Sequence, residues 1–225
     1  MFSNFVPNLV RAVSRYWFLF LEGAGYTLLL SAITVLFGAV LGSLLSLMRR
    51  SRVMPLRLFA TGYVEVIRGT PLLLQLYIFY FLLPDLVPFL SLSKFASVTI
   101  ALVFNSAAYV CEVVRAGIAA VDPGQMEAAR SLGLSSRQAM ARIVLPQAVK
   151  NILPALGNEF VTVIKETSLA SVFFVGDLMT QYNIIKGSMH LVIEPLLVVG
   201  LIYFLLTFTL SKLIAHYERN LQASD

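Results

Sequence analysis

From Tyr26 to Met48 the chain carries no charged residue, and an apolar run of that length restricts what the segment can become. The hydrocarbon core of a bilayer takes about 20 apolar residues in helical form, and inside it the backbone must satisfy its own hydrogen bonds. Phe59 to Leu83, Phe95 to Ala119, Asn151 to Val175 and Leu191 to Leu213 are also long enough, although the middle three carry interior charges that an idle span would lack. The chain is 58% hydrophobic and 13% charged, with a mean hydropathy of +0.82. Soluble domains carry roughly 25% charged residues, and a water-soluble fold could not bury this much apolar surface. The expectation is an all-α integral membrane helical bundle, one domain over residues 1–225, with about five transmembrane helices. Asn4 to Phe20 mixes Arg11 and Arg15 with Val10, Val13, Tyr16 and Trp17, the pattern of an N-terminal interfacial helix leading into the first span. No basic region runs at once into an apolar core and a small-residue cleavage site, so no removable signal peptide is expected.

The formal net charge is +5, but the basic residues cluster beside apolar runs, where they set topology and do not form a nucleic-acid patch. Arg49, Arg50, Arg52 and Arg57 follow the first span, and Arg130, Arg137, Arg142 and Lys150 fill the long connection between the third and fourth. The opposite loops offer little more than Lys94 and Lys186. This predicts a plasma membrane protein with the N-terminus outside, the C-terminus cytoplasmic, and the segment 120–150 in the cytoplasm. In the first span Gly38 and Gly42 stand in small-xxx-small register with Thr34 and Ser46, a spacing that lets membrane helices approach closely. The lone Cys111 reads as a small buried hydrophobe. His190 and His216 are isolated, so no metal site is expected.

In the connection, Asp122 is a natural N-cap, Pro123 suits the first helical position, and Gln125 is three residues after the cap, able to reach back. A helix over Glu127, Ala128, Ala129, Arg130 and Leu132 follows. Gly133 can end it in the left-handed conformation, and Ser135 or Ser136 can cap a second helix running from Arg137 toward Leu145, which Pro146 stops or kinks. The result is a helix-turn-helix displaying Ala128, Ala129, Leu132 and Leu134 as a small apolar surface. An ordinary solvated loop and a DNA-binding unit are the alternatives; spans on both sides argue against the latter.

Glu127-Ala128-Ala129, then three residues before Gly133, nine before Ile143 and one before Leu145-Pro146, resembles the EAA motif of the membrane subunits of ABC importers. Val66-Ile67-Arg68-Gly69-Thr70-Pro71-Leu72, Arg115-Ala116-Gly117-Ile118 and Leu153-Pro154-Ala155-Leu156-Gly157-Asn158-Glu159 resemble the polar amino acid (histidine/glutamine/arginine-type) subfamily. The resemblance implies that the EAA segment is a coupling helix seated on a separate ATPase subunit. Asp122, Gln125, Glu127, Ala128, Ala129, Arg130, Leu132, Gly133, Leu145 and Pro146 would be its coupling residues. It also implies a second permease copy or homologue, an extracytoplasmic amino-acid-binding protein, and ATP and Mg bound by the ATPase, with no cofactor on this chain. The sequence contains no G-x-x-x-x-G-K-[ST] phosphate loop, so a transport role and not an enzymatic one is expected. A free-standing channel or secondary carrier for small polar solutes is the alternative; five spans with no internal repeat would be unusual for one.

Ionisable residues are costly inside a bilayer, about 2.5 to 3.5 kcal/mol each on insertion scales, so their spacing is informative. Thr61, Glu65, Arg68 and Gln75 lie on one helical face, as do Asn105, Tyr109, Glu112 and Arg115, and again Glu159, Thr162 and Glu166. Glu65, Arg68, Glu112 and Arg115 can pair with one another as structural charges. Gln75, Asn105, Tyr109, Glu112, Glu159, Thr162 and Glu166 are the candidate substrate path, with partners for both ends of a zwitterion. Carboxylates slightly outnumber bases along these stripes, which favours a cationic amino acid.

Overall fold

The computed structural model describes residues 4–90 and 92–222. Among them the regular structure is helical: α1 (Phe5–Arg49), α2 (Met54–Gly69), α3 (Leu72–Leu86), α4 (Lys94–Ala119), α5 (Pro123–Ser131), α6 (Ser136–Ala139), α7 (Leu145–Glu166), α8 (Leu178–Met189) and α9 (Ile193–Gln222). Short 3-10 turns cover Pro88–Leu90 and Thr167–Phe173, and a π turn covers Met140–Val144.

By length and apolarity three of the described helices can cross a membrane, α1, α4 and Ile193–Arg219 of α9; the bent pair α2 and α3 makes a fourth if it counts as one broken span. Two of the five expected spans are not continuous apolar helices. The second is interrupted at Thr70, whose backbone is extended (φ −119°, ψ 147°) because Pro71 disfavours the helical region for the residue before it. The fourth is neither a continuous α-helix nor apolar enough to qualify: α7 starts at Leu145, carries Lys150, Glu159, Lys165 and Glu166, and tightens into a 3-10 turn after Glu166.

The N-terminal segment is helical as expected but breaks at Tyr16 (φ −121°, ψ 15°), and it packs on protein. Ala12 is fully buried, Asn8 Nδ2 donates to Glu194 Oε1 at 3.2 Å, and the Tyr16 and Ser188 hydroxyls are 2.6 Å apart.

The chain divides into two compact units. One comprises residues 4–34, 72–103 and 160–210. Leu30, Leu76, Val98, Leu102 and Phe173 form one of its cores, with Tyr80 packed on the Phe173 ring at 4.5 Å; Phe20, Leu178, Tyr182, Ile185 and Val199 form another. Asp177 caps α8 by accepting the Met179 N–H at 3.0 Å, and Thr27 Oγ1 accepts the Leu178 N–H at 3.1 Å.

The other unit comprises residues 35–71, 104–159 and 211–222. Leu45, Ala60, Val64, Ala107, Ala108 and Cys111 form one core; Val121, Val144, Ala148 and Ile152 form a second beneath α5. Gly38 and Gly42 pack against α4: a Cβ on Gly42 would be 2.7 Å from the Ala107 carbonyl oxygen, and one on Gly38 2.8 Å from Ser106 Oγ. The small-residue stripe of the first span thus serves contact with another helix of the same chain.

Candidate functional site

The segment 120–150 folds as a short lever built from local signals. Asp122 Oδ1 accepts the Gly124 N–H at 2.8 Å, Pro123 opens α5, and Gly133 takes φ +89°. The Leu134 N–H then bonds to the Ala129 carbonyl at 3.2 Å and the Gly133 N–H to that of Arg130 at 3.0 Å, the paired bonds of a Schellman ending. Ser135 and Gln138 form a capping box at the start of α6, through bonds of 2.9 and 3.3 Å, and Arg130 donates to the Ser136 hydroxyl.

Three expectations for this segment change. Gln125 does not reach back to the cap; its side-chain oxygen accepts from Gln147 Nε2 at 3.3 Å. Pro146 does not stop the second helix. The missing Pro146 N–H leaves the chain without one i→i−4 bond, the preceding turn widens so that the Leu145 N–H bonds to the Met140 carbonyl, and α7 continues. Ala129 is buried, not displayed, because it faces the side of α5 that carries Met126 toward the core. Glu127, Ala128, Arg130 and Leu132 face outward, and Leu132 is 85% exposed. Leu145 and Pro146 are also exposed.

The charged stripes separate in the structure. Glu112 accepts from Arg49, from Arg115 Nη2 at 2.8 Å and Nε at 2.9 Å, and pairs with Arg68 at 3.7 Å. The Arg68 guanidinium also lies 5.6 Å from the centre of the Tyr109 ring, within cation–π range. Glu112 thus sits in an ionic cluster with Arg68 and Arg115, and Arg49 is a member that helical spacing did not reveal. Glu65 is exposed and makes no ion pair among the described residues.

Of the other candidate path residues, Asn105, Tyr109 and Glu159 belong to the unit of residues 35–71, 104–159 and 211–222, and Gln75, Thr162 and Glu166 to the other. Asn105 and Gln75 are buried and Thr162 is exposed. Ser106, unnoticed in the sequence, donates to Glu159 Oε1 at 3.0 Å, and Gly38 leaves the room that keeps it there. Next to Glu166, Lys165 lines a cavity of about 450 Å³ with Ser168, Leu169, Met179 and Tyr203. Among the described residues no three His, Cys, Asp or Glu side chains come together as a metal-ligand group.

The arginine transport system permease protein ArtQ of Bacillus subtilis (strain 168) is 42% identical over 205 residues, covering 91% of this chain and 93% of its own length. The probable glutamine ABC transporter permease protein GlnM of the same strain is 40% identical over 206 residues, with 92% and 94% coverage. A solved structure, the crystal structure of an amino acid ABC transporter with histidines, superposes with a TM-score of 0.87 at 44% identity, covering 92% of this chain and 96% of that one. Residues 34–222 match the family described as binding-protein-dependent transport system inner membrane component. The EAA-type spacing, its capped lever and the family match across most of the chain agree, and the chain belongs to the inner membrane components of binding-protein-dependent transport systems.

Proposed function

We propose that this chain is the permease subunit of an ATP-driven importer for polar amino acids, with α5 as its coupling helix. The observation that carries the reading is the lever itself: a nine-residue helix, capped at both ends, with Leu132 exposed at its tip beside the left-handed Gly133. A short rigid element with an apolar tip suits transmission of a partner's movement, since packed elements shift as bodies. Asp122, Gln125, Glu127, Ala128, Arg130, Leu132 and Gly133 would meet or shape the ATPase groove; Ala129 would seat the lever on the core beneath it, and Leu145 and Pro146, at the start of α7, would carry its movement into that helix.

The partners would be two ATPase subunits that bind ATP and Mg, a second permease copy or homologue, and an extracytoplasmic amino-acid-binding protein. The arginine excess in the loop after α1 and around α5 supports a cytoplasmic lever, with the N-terminus outside and the C-terminus inside. The whole chain would act as one transmembrane domain. The free-standing carrier reading is disfavoured by membership of a binding-protein-dependent family.

The substrate class rests on the arginine and glutamine names of the relatives, and a cationic preference on the carboxylates. Glu159 makes no ion pair among the described residues and accepts a hydrogen bond from the Ser106 hydroxyl. The test is ATP-dependent uptake in proteoliposomes carrying the permease, its ATPase and its binding protein, with arginine and glutamine in competition. Glu159→Gln and Glu166→Gln are expected to lower the preference for arginine over glutamine; an unchanged preference in both would count against cationic selectivity.

A further inference from the structure

The geometry points to a binding site for the phosphate headgroup of an anionic phospholipid, in a cavity lined by Arg50 and Arg115 beside the start of α5. The cavity holds about 310 Å³.

Charge is the first ground. Arg49, Arg68 and Arg115 share one carboxylate, Glu112, so their cluster keeps two positive charges. Arg50 makes no ion pair among the described residues. Asp122, the acidic residue in the cavity wall, spends one oxygen on the Gly124 N–H. Arg115 is held through Nε and Nη2 by Glu112 while its side chain stays 53% exposed. An anchored guanidinium needs little further ordering to bind a phosphate.

The second ground is the rest of the lining. Val121, Met126 and Met140 line the same cavity, which favours an anion that carries an apolar body over a hydrated inorganic ion. Depth is the third. α1 ends at Arg49 and α4 at Ala119, so both arginines stand where apolar helices give way to charged connections, the level of lipid headgroups. A lipid held there would contact the base of α5 and the ends of α1 and α4 together, so membrane composition would bear on the coupling segment. The site rests on the membrane location of the chain and not on the identity of the transported solute.

The test uses the purified chain with its ATPase, delipidated in detergent, and counts bound lipid by native mass spectrometry. Dioleoyl phosphatidylglycerol, dioleoyl phosphatidylcholine and inorganic phosphate are the probes. Phosphatidylglycerol is expected to bind in preference to phosphatidylcholine. Arg50→Gln is expected to weaken it about fivefold, the worth of one basic residue at a membrane surface, and Arg50→Glu to weaken it further. Arg57→Gln, nearby on α2 but outside the cavity, should not. Equal binding of the two lipids overturns the proposal, as does an Arg50→Gln result no different from Arg57→Gln. Displacement of phosphatidylglycerol by equimolar inorganic phosphate would overturn the lipid assignment in favour of a free phosphate. Because the readout is lipid retention, a failure here leaves the importer reading untouched.

Discussion

The three arginines around Glu112 do not hold it equally. Arg49 and Arg115 bond to it directly, whereas Arg68 is at 3.7 Å with 43% of its side chain exposed. A hydrogen bond to a charged group contributes about 1.5–3 kcal/mol, and an exposed ion pair about 1 kcal/mol or less. Thermal unfolding in detergent should therefore fall most for Glu112→Gln, less for Arg49→Gln and least for Arg68→Gln; an equal loss in all three would contradict the ranking. Helical spacing suffices to put Glu112 and Arg115 on one face. It cannot reveal Arg49, which comes from 63 positions away, because periodicity reports neighbours only within one helix. The same limit explains Glu65, which shares a face with Arg68 but ends in an exposed position with no ion pair among the described residues. At Gly133 no atom stands within 4 Å of where a Cβ would be, so Gly133→Ala tests backbone conformation alone. Its left-handed φ should cost about 1–2 kcal/mol, seen as weaker retention of the ATPase without loss of membrane insertion.

At the scale of elements, the Asp122 cap, the glycine ending and the serine cap of the second helix were legible because each is a few residues long and chemically specific, whereas the Gln138 half of the capping box went unread. The π turn was not. The sequence shows a proline that removes a hydrogen bond, but whether the helix stops, kinks or widens depends on the packing of Val144, Ala148 and Ile152 around it. Pro146→Ala restores the missing N–H and favours a regular α-helix, which would rotate α5 and α6 by about 100° relative to α7. The expected outcome is a folded, inserted chain whose substrate-stimulated ATPase activity falls roughly five- to tenfold, the low end of coupling free energies; unaltered stimulation would remove the π turn from the account. The break at Thr70–Pro71 was legible from the residue before proline, yet apolar residues on both sides favoured a continuous span. Between α1 and α4, Gly42→Ala would drive a methyl group against the Ala107 carbonyl. Overpacking of this kind costs about 1–3 kcal/mol, so its melting temperature should drop while that of Gly62→Ala, where the space is open, should not.

For the whole molecule, apolar run length and the placement of arginines were enough to read a helical membrane protein, and the EAA spacing was enough to read its family. The number of crossings was less legible, because α7 combines an interior polar stripe with a 3-10 ending that hydropathy along the sequence treats as one span. The polar stripes were legible from residue type and spacing, but Ser106 and the division of the stripe residues between two units depend on packing. The central claim is that α5 couples this chain to a separate ATPase. Affinity purification of the tagged chain from its native membrane in mild detergent, with and without Gly133→Asp, followed by mass spectrometry of the co-purifying proteins, tests it most directly. The account predicts an ATPase with a phosphate-binding loop alongside the parent chain and its loss from the variant; a well-folded parent that brings down no ATPase would contradict it.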